Sequence, residues 1–136
     1  HGQTDIEIGA IGSILTLIYG FFMHALFKFL EQKYLRFKEL MGEMIAGTNK
    51  EPRTLAYEWY ISEDGGTVHL FEKYADSEAM IGHVNGFMQK WAERFLAVVG
   101  VTSFSVYGDP SPAARELLAG FGATYFAPWG GFSRLA

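Results

Sequence analysis

Glutamate and histidine, side chains that enzymes often use to move protons, lie close together in the segment VHLFEKYADSEAMIGHV, residues 68–84. Its first half has the composition of a strand, and Asp76 is a typical N-cap for the helix that follows. His83 follows Met80 by three residues and precedes Phe87 by four, so the three share one helix face. That apolar face must pack on the sheet, and a buried imidazole needs partners for its ring nitrogens.

The carboxylate of this segment lies on the strand that precedes the helix. Glu72 points to the same side of its strand as Val68, Leu70 and Tyr74. A carboxylate among such neighbours is expected to be paired, for instance with His83 or an arginine, or to line a pocket. His83 has two corresponding interpretations, a core histidine bonded to a strand group or a residue that faces a cleft.

Aromatic residues make up 16% of the chain, enough both to fill a core and to line a pocket for a flat organic ligand. Several of them are expected near His83 because they share a strand face or follow it along the helix. Ordinary core packing is the alternative for each. The candidate ligand-binding side chains are His24, Tyr57, Trp59, Tyr74, Phe87 and Trp91.

The elements that must position these residues follow one another in a recognisable order. The predicted elements are a strand at Phe22–Phe29, a helix at Lys33–Ala46 ended by Gly47, a hairpin formed by TLAYEWYIS and TVHLFEKY around EDGG, a helix from Asp76 to about Ala97, and a strand VTSFSVYG. This β-α-β-β-α-β order is that of the ferredoxin-like α+β fold, an antiparallel sheet with both helices on one face.

Two segments flank the predicted domain at residues 22–108. Residues 1–21 are expected to be an N-terminal extension, either an extra strand or residues left from a purification tag. Residues 109–136 are expected to form a short helix, with Ser111 as N-cap and Gly120 just past its end, followed by an ordered aromatic arm. The free face of the sheet needs a cover, and a second copy of the chain is the simplest one.

Composition excludes several functional classes. The 136 residues include no cysteine, which rules out disulfides, thiol nucleophiles and thiolate metal sites and fits a cytoplasmic protein. The net charge is −4 and no basic stripe runs between the aromatics, so no nucleic-acid partner is expected. The internal histidines have no carboxylate at ligand spacing, so no metal site is predicted. No phosphate-binding loop or nucleophile-elbow pattern is present.

The stretch from Ile8 to Phe27 contains no charged side chain and is long enough to span a bilayer. Three glycines and His24 interrupt it, and one or two buried strands explain the run better. A membrane-spanning role is therefore not expected.

Three segments together carry a family likeness: HALFKFLEQKYLRFKELM, LAYEWYISEDGGTVHLFEKYADSEAMIGHV and VYGDPSPAARELLAGFG. Over roughly residues 22–134 the chain resembles the antibiotic-biosynthesis-monooxygenase-like family of dimeric α+β barrels, which includes quinol monooxygenases. The middle segment is the most specific, with its Ser-Glu-Asp-Gly hairpin and helical histidine.

The resemblance implies a homodimer that oxidises a small aromatic or quinol-like substrate with molecular oxygen and no metal or flavin. It implies that His83 faces the substrate cleft, where His83 is the first-choice catalytic base and Glu72 the second. Two alternatives stay open: a non-catalytic dimeric ligand-binding protein of the same fold, and a haem-binding or haem-degrading relative. Haem is ranked lower because the haem-degrading relatives also use an asparagine on the first strand, and FMHALFKF has none.

Overall fold

The computed structural model describes residues 3–9 and 21–134, with side chains from residue 26 onward. Within these ranges the chain forms five strands and four helices. The strands are β1 (Gln3–Gly9), β2 (Thr54–Ile61), β3 (Val68–Tyr74), β4 (Gly100–Tyr107) and β5 (Thr124–Phe126). The helices are α1 (Phe21–Thr48), α2 (Ser77–Lys90), α3 (Ala92–Leu96) and α4 (Pro112–Ala119).

The strands form one sheet in the order β2-β3-β1-β4-β5. The first four strands are antiparallel throughout, with Ile6 of β1 opposite Leu70 of β3 and Phe104 of β4. This order confirms the predicted ferredoxin-like fold. The C-terminal arm adds a short edge strand, since β5 pairs parallel to β4 with Val106 opposite Tyr125.

The predicted first strand at Phe22–Phe29 is wrong, because this segment belongs to the 28-residue helix α1. No glycine or proline separates it from the helix predicted after it, and Met, Ala, Leu and Lys within it favour helix. The first strand is β1, which lies inside the predicted N-terminal extension and at the centre of the sheet. Residues 10–20 of the apolar run from Ile8 to Phe27 lie outside the described residues.

Side chains that accept hydrogen bonds from backbone N–H groups define the starts of α2 and α4 and the turn of the β2–β3 hairpin. The side chain of Asp76 accepts a hydrogen bond from the backbone N–H of Ala79 at 3.0 Å and so starts α2. Ser111 does the same for α4, with Ala114 as donor at 3.2 Å. In the β2–β3 turn, Asp64 accepts from the N–H of Gly66 at 2.9 Å.

The helix predicted to run from Asp76 to about Ala97 is interrupted at Trp91. The backbone there has φ −130° and ψ −21°, which ends α2 and starts α3. The break allows the adjacent residues Trp91 and Ala92 to be buried together with Phe95. A continuous helix with a narrow apolar stripe would place two adjacent residues on different faces.

Helices α1 to α4 all bury side chains, and all four pack on one face of the sheet. One core cluster joins Phe37, Leu40 and Met44 of α1 to Trp91, Phe95 and Val68, and the other joins Tyr74, Met80, Val84, Phe104, Val106, Ala114 and Leu118. Every second residue along β2 and β4 points to the opposite face of the sheet. Tyr60 and Tyr107 are exposed on that face.

No helix in the described part of the chain is both long and apolar enough to cross a membrane.

Gly47 does not end α1, as its position in the sequence predicts, but lies inside the last turn. A Cβ at this position would be 2.6 Å from Cη2 and 2.7 Å from Cζ2 of Trp91. The glycine therefore lets α1 approach the indole ring closely. The same helix contains Gly42, where an added Cβ would meet nothing within 4 Å.

We expect Gly47→Ala to reduce the free energy of unfolding by about 1–3 kcal/mol, because the buried indole cannot retreat without disturbing the core. Gly42→Ala is the matched control and should stabilise the protein by about 0.5–1 kcal/mol, the usual gain in a helix. Urea denaturation followed by tryptophan fluorescence measures both. Equal stability of the two variants would contradict the proposed close packing.

Candidate functional site

His83 is the centre of a buried polar cluster under the helical layer. It lies on the inner face of α2 with Met80 and Val84, and only 4% of its surface is exposed. Its Nδ1 is 2.9 Å from Oε2 of Glu51, and its Nε2 is 3.4 Å from Oε1 of Glu72. Both ring nitrogens therefore face a carboxylate.

The two carboxylates have different surroundings. Glu72 is 4% exposed, because β3 turns it to the helical side with Leu70 and Tyr74. Glu51 lies in the loop between α1 and β2, and 32% of its side chain is exposed. The hydroxyl of Thr54 donates to the same Oε2 of Glu51 at 2.8 Å. One carboxylate is thus enclosed by the protein and the other reaches the surface.

Burial by itself would lower the pKa of His83, because it disfavours the charged imidazolium. The contacts with Glu72 and Glu51 outweigh burial and raise the pKa of His83 above its ordinary value. The ring is consequently held ready to carry a proton at a pH where an isolated histidine would lose it.

Two tyrosine rings flank the imidazole. The ring centroids of Tyr57 and Tyr74 each lie 5.5 Å from that of His83. Burial, followed by the negative charge of Glu72, raises the pKa of both phenols well above the ordinary value. Both hydroxyls are buried and make no hydrogen bond of ordinary geometry, although Thr48 and Trp59 lie near that of Tyr57 and Glu72 lies near that of Tyr74. Each stays protonated and is available as a donor.

A cavity of about 600 Å³ opens beside this cluster, between the sheet and helices α1, α2, α3 and α4. Its polar wall is formed by Glu72, His83 and Tyr57, and the remaining wall is almost entirely apolar. The apolar lining is Met44, Leu70, Val84, Phe87, Met88, Phe95, Leu96, Val101, Phe104, Leu117 and Phe121. This volume and lining suit a small, mostly apolar organic molecule.

The structure brings some of the predicted site residues together and separates others from the cavity. His83, Glu72, Tyr57 and Phe87 line it. Tyr74 contacts the imidazole but is fully buried behind it.

The remaining candidates have other positions. Trp59 packs edge-on against Tyr57 and Phe95 in the core, and Trp91 packs on Gly47, so neither lines the cavity. His24 belongs to α1 and not to a strand, and its side chain lies outside the described residues.

Sequence patterns did not predict Glu51 or the contribution of α4. Glu51 lies in a polar loop, and no local pattern links it to a histidine so far along the chain. Leu117 and Phe121 line the cavity from the segment expected to form a short helix and aromatic arm. The apolar spacing of Ala114, Leu117, Leu118 and Phe121 is the signal that indicates a packed helix face.

The site does not fit a metal or a haem. No group of three His, Asp or Glu residues in the described part of the chain could hold a metal ion. A haem iron would need a free ring nitrogen, and both nitrogens of His83 are engaged by carboxylates. The chemistry that this arrangement offers is instead proton transfer at the wall of an apolar cavity.

Comparison with solved structures supports the fold. MupZ from Pseudomonas fluorescens superposes with a TM-score of 0.75 at 19% identity, over 98% of this chain and 94% of that one. A "putative antibiotic biosynthesis monooxygenase" from Deinococcus radiodurans gives a TM-score of 0.57 at 13% identity, over 82% of this chain and 94% of that one. No protein-family model and no curated protein matches the sequence. At these identities the likeness establishes a shared fold and not a shared reaction.

The pKa of His83 predicts a pH-dependent role for Glu72 in stability. A raised pKa in the folded state means that the stabilising contact is fully present below the unfolded value, about 6.5, and is lost as pH rises through the folded value. We therefore expect Glu72→Gln to reduce the free energy of unfolding by about 1–3 kcal/mol at pH 5.5 and by clearly less at pH 9.

Urea denaturation at the two pH values measures this difference. Glu63→Gln, in the exposed β2–β3 turn, removes the same charge and should cost little at either pH. If the loss of unfolding free energy in Glu72→Gln increased with pH, the contact with the charged imidazole would not be stabilising.

Proposed function

We propose that this chain is a monooxygenase that oxidises a small aromatic or quinol-like substrate with molecular oxygen and needs no other cofactor. The observation that carries the proposal is the Glu72–His83 pair on the wall of an otherwise apolar cavity. The fold shared with an antibiotic-biosynthesis-monooxygenase-type structure agrees with this proposal.

The first step would remove a proton from the substrate. Glu72 Oε1 and His83 Nε2 are 3.4 Å apart and both line the cavity, so the pair would take up this proton as a unit. Tyr57 lines the cavity beside the pair, and its protonated hydroxyl would donate a hydrogen bond to a substrate oxygen once the bound ring displaces the side chains that now bury it. This contact would favour a phenol-like or quinol-like ring over a pure hydrocarbon.

Oxygen would react with the resulting anion. The anion transfers one electron to O₂, and the two radicals combine to form a C–O bond to a peroxide. The pair then returns its proton to the peroxide, and loss of water leaves a carbonyl, so that one ring C–H, one phenolic O–H and O₂ give the two C=O groups of a quinone and H₂O. The apolar walls keep water from the anion and so favour its reaction with oxygen.

A second candidate is an enzyme that only moves protons, for example one that isomerises a similar substrate. The observation that favours it is that the Glu72–His83 pair is itself a complete acid–base device and does not need oxygen. A turnover that continues unchanged without oxygen would select this candidate over the monooxygenase.

We also propose that the free face of the sheet is covered by a second copy of the chain. Tyr60, Tyr107 and Phe126 are exposed there, and the rings of Tyr107 and Phe126 stack at 5.2 Å between centroids. An aromatic surface of this kind is costly to leave in water. The cavity lies on the opposite face, so this interface would not block it.

Oxygen uptake with a panel of quinols and polyphenols tests the reaction. We expect Glu72→Gln to lower kcat by about 10²–10⁴-fold, because the amide cannot take up a proton. Tyr57→Phe should raise KM more than it lowers kcat, and Glu63→Gln should match the wild type. Uptake by wild type and Glu72→Gln at equal rates would remove the acid–base pair from the mechanism.

Light scattering after size exclusion tests the dimer. The wild type should have twice the mass of one chain, and Tyr107→Glu should shift it to the monomer because a charge would be buried at the interface. Tyr34→Glu, at an exposed tyrosine of α1, is the matched control and should leave the dimer intact. Dissociation by the control and not by Tyr107→Glu would place the interface on α1.

A further inference from the structure

We propose that Glu51 is a positioning and proton-exchange residue that connects the buried site to bulk water through His83. The inference rests on the proposed function only where it takes a substrate as the source of the transferred proton. The connection itself follows from three groups in line, Glu72 at the cavity, His83 between, and Glu51 at the surface.

The geometry supports a directional path. The two carboxylates contact opposite nitrogens of one ring, Glu72 at Nε2 and Glu51 at Nδ1. The side chains of Glu72 and His83 are 6% and 4% exposed, whereas that of Glu51 is 32% exposed. An imidazole that receives a proton at one nitrogen can release another from the opposite nitrogen, which makes it suited to this task.

Other side chains that face the imidazole do not offer an alternative route. Tyr57 of β2 and Tyr74 of β3 flank the ring, but their hydroxyls are buried and make no hydrogen bond of ordinary geometry. Burial and the charge of Glu72 raise the pKa of both phenols, so they hold their protons. Among the described residues, Glu51 is the carboxylate that contacts His83 and also reaches solvent.

Glu51 is held in place by its own loop and by α2. Its backbone N–H donates to the carbonyl of Thr48 at 2.9 Å, and its Oε2 accepts from Thr54. The carbonyl of Arg53 accepts from the N–H of Ala75 at 3.0 Å, and the guanidinium pairs with Asp76, the N-cap of α2. The loop with Glu51 and the helix with His83 are therefore tied together.

The proton balance of the path is simple. When the cavity side delivers a proton to Nε2, the proton on Nδ1 moves to Oε2 of Glu51, and the carboxylic acid releases it to water. When the site must return a proton to the reacting molecule, the reverse transfers restore the original tautomer. Each cycle leaves the three side chains as they began.

The test is the exchange of the His83 Nδ1 proton with water, measured by NMR on protein with ¹⁵N-labelled histidine. This measurement needs no substrate, so it can fail independently of the proposed monooxygenase. Glu51→Gln keeps an oxygen that can accept from Nδ1–H but cannot take up the proton, and we expect exchange to slow about tenfold or more. Glu51→Asp retains a carboxylate and should recover part of the rate.

Glu78→Gln is the matched control, since it removes an exposed carboxylate from the helix that carries His83. It should leave both the exchange rate and the pKa of His83 as in the wild type, whereas Glu51→Gln should lower that pKa. Exchange in Glu51→Gln as fast as in the wild type, or equally slow in Glu51→Gln and Glu51→Asp, would overturn the proposed path.

Discussion

An imidazole removed from water must find a partner for each of its two nitrogens, and in this protein both partners are carboxylates. The requirement links three separate parts of the chain, because His83 comes from α2, Glu72 from β3 and Glu51 from the loop before β2. Leaving Glu72 or a charged His83 buried without its partner would be costly. The register of the hairpin, the start of α2 and the end of α1 must therefore all be correct for the cluster to form.

The same constraint explains why the cavity lies where it does. Glu72 and His83 are the polar end of a space whose other walls come from four elements of the helical layer and the sheet. The break between α2 and α3 and the docking of α4 shape these walls without adding polar groups. A charged pair in such surroundings interacts more strongly than it would in water, which suits proton transfer.

The sequence predicts most of the fold and part of the site. The hairpin and the caps at Asp76 and Ser111 follow from turn and capping signals, and apolar periodicity places His83 on the inner face of its helix, in agreement with the structure. Periodicity groups Glu72 with Leu70 and Tyr74 but does not say which face of the sheet they occupy. The prediction of a first strand at Phe22–Phe29 is wrong because this segment is apolar enough for a strand yet continues without interruption into a helix. The alternation of polar and apolar residues in QTDIEIG is the signal that marks β1.

What the sequence could not predict depends on contacts between distant segments. Glu51 becomes part of the site only because the loop before β2 is tied to the start of α2. Trp91 looks like a cleft residue on a continuous helix, and only the backbone change at that residue turns it toward Gly47. Local patterns describe which face of an element is apolar, but not which partner that face will meet.

The central position of β1 has a consequence for how the chain acquires its structure. The β2–β3 hairpin can form from neighbouring residues, but β1 must pair with β3 on one side and with β4 on the other, both far along the sequence. Closing such long loops costs entropy before the sheet contacts repay it, so folding is expected to be slow relative to proteins with local contacts. During synthesis the first strand has no partner until β3 has left the ribosome, and its second edge stays open until β4 follows.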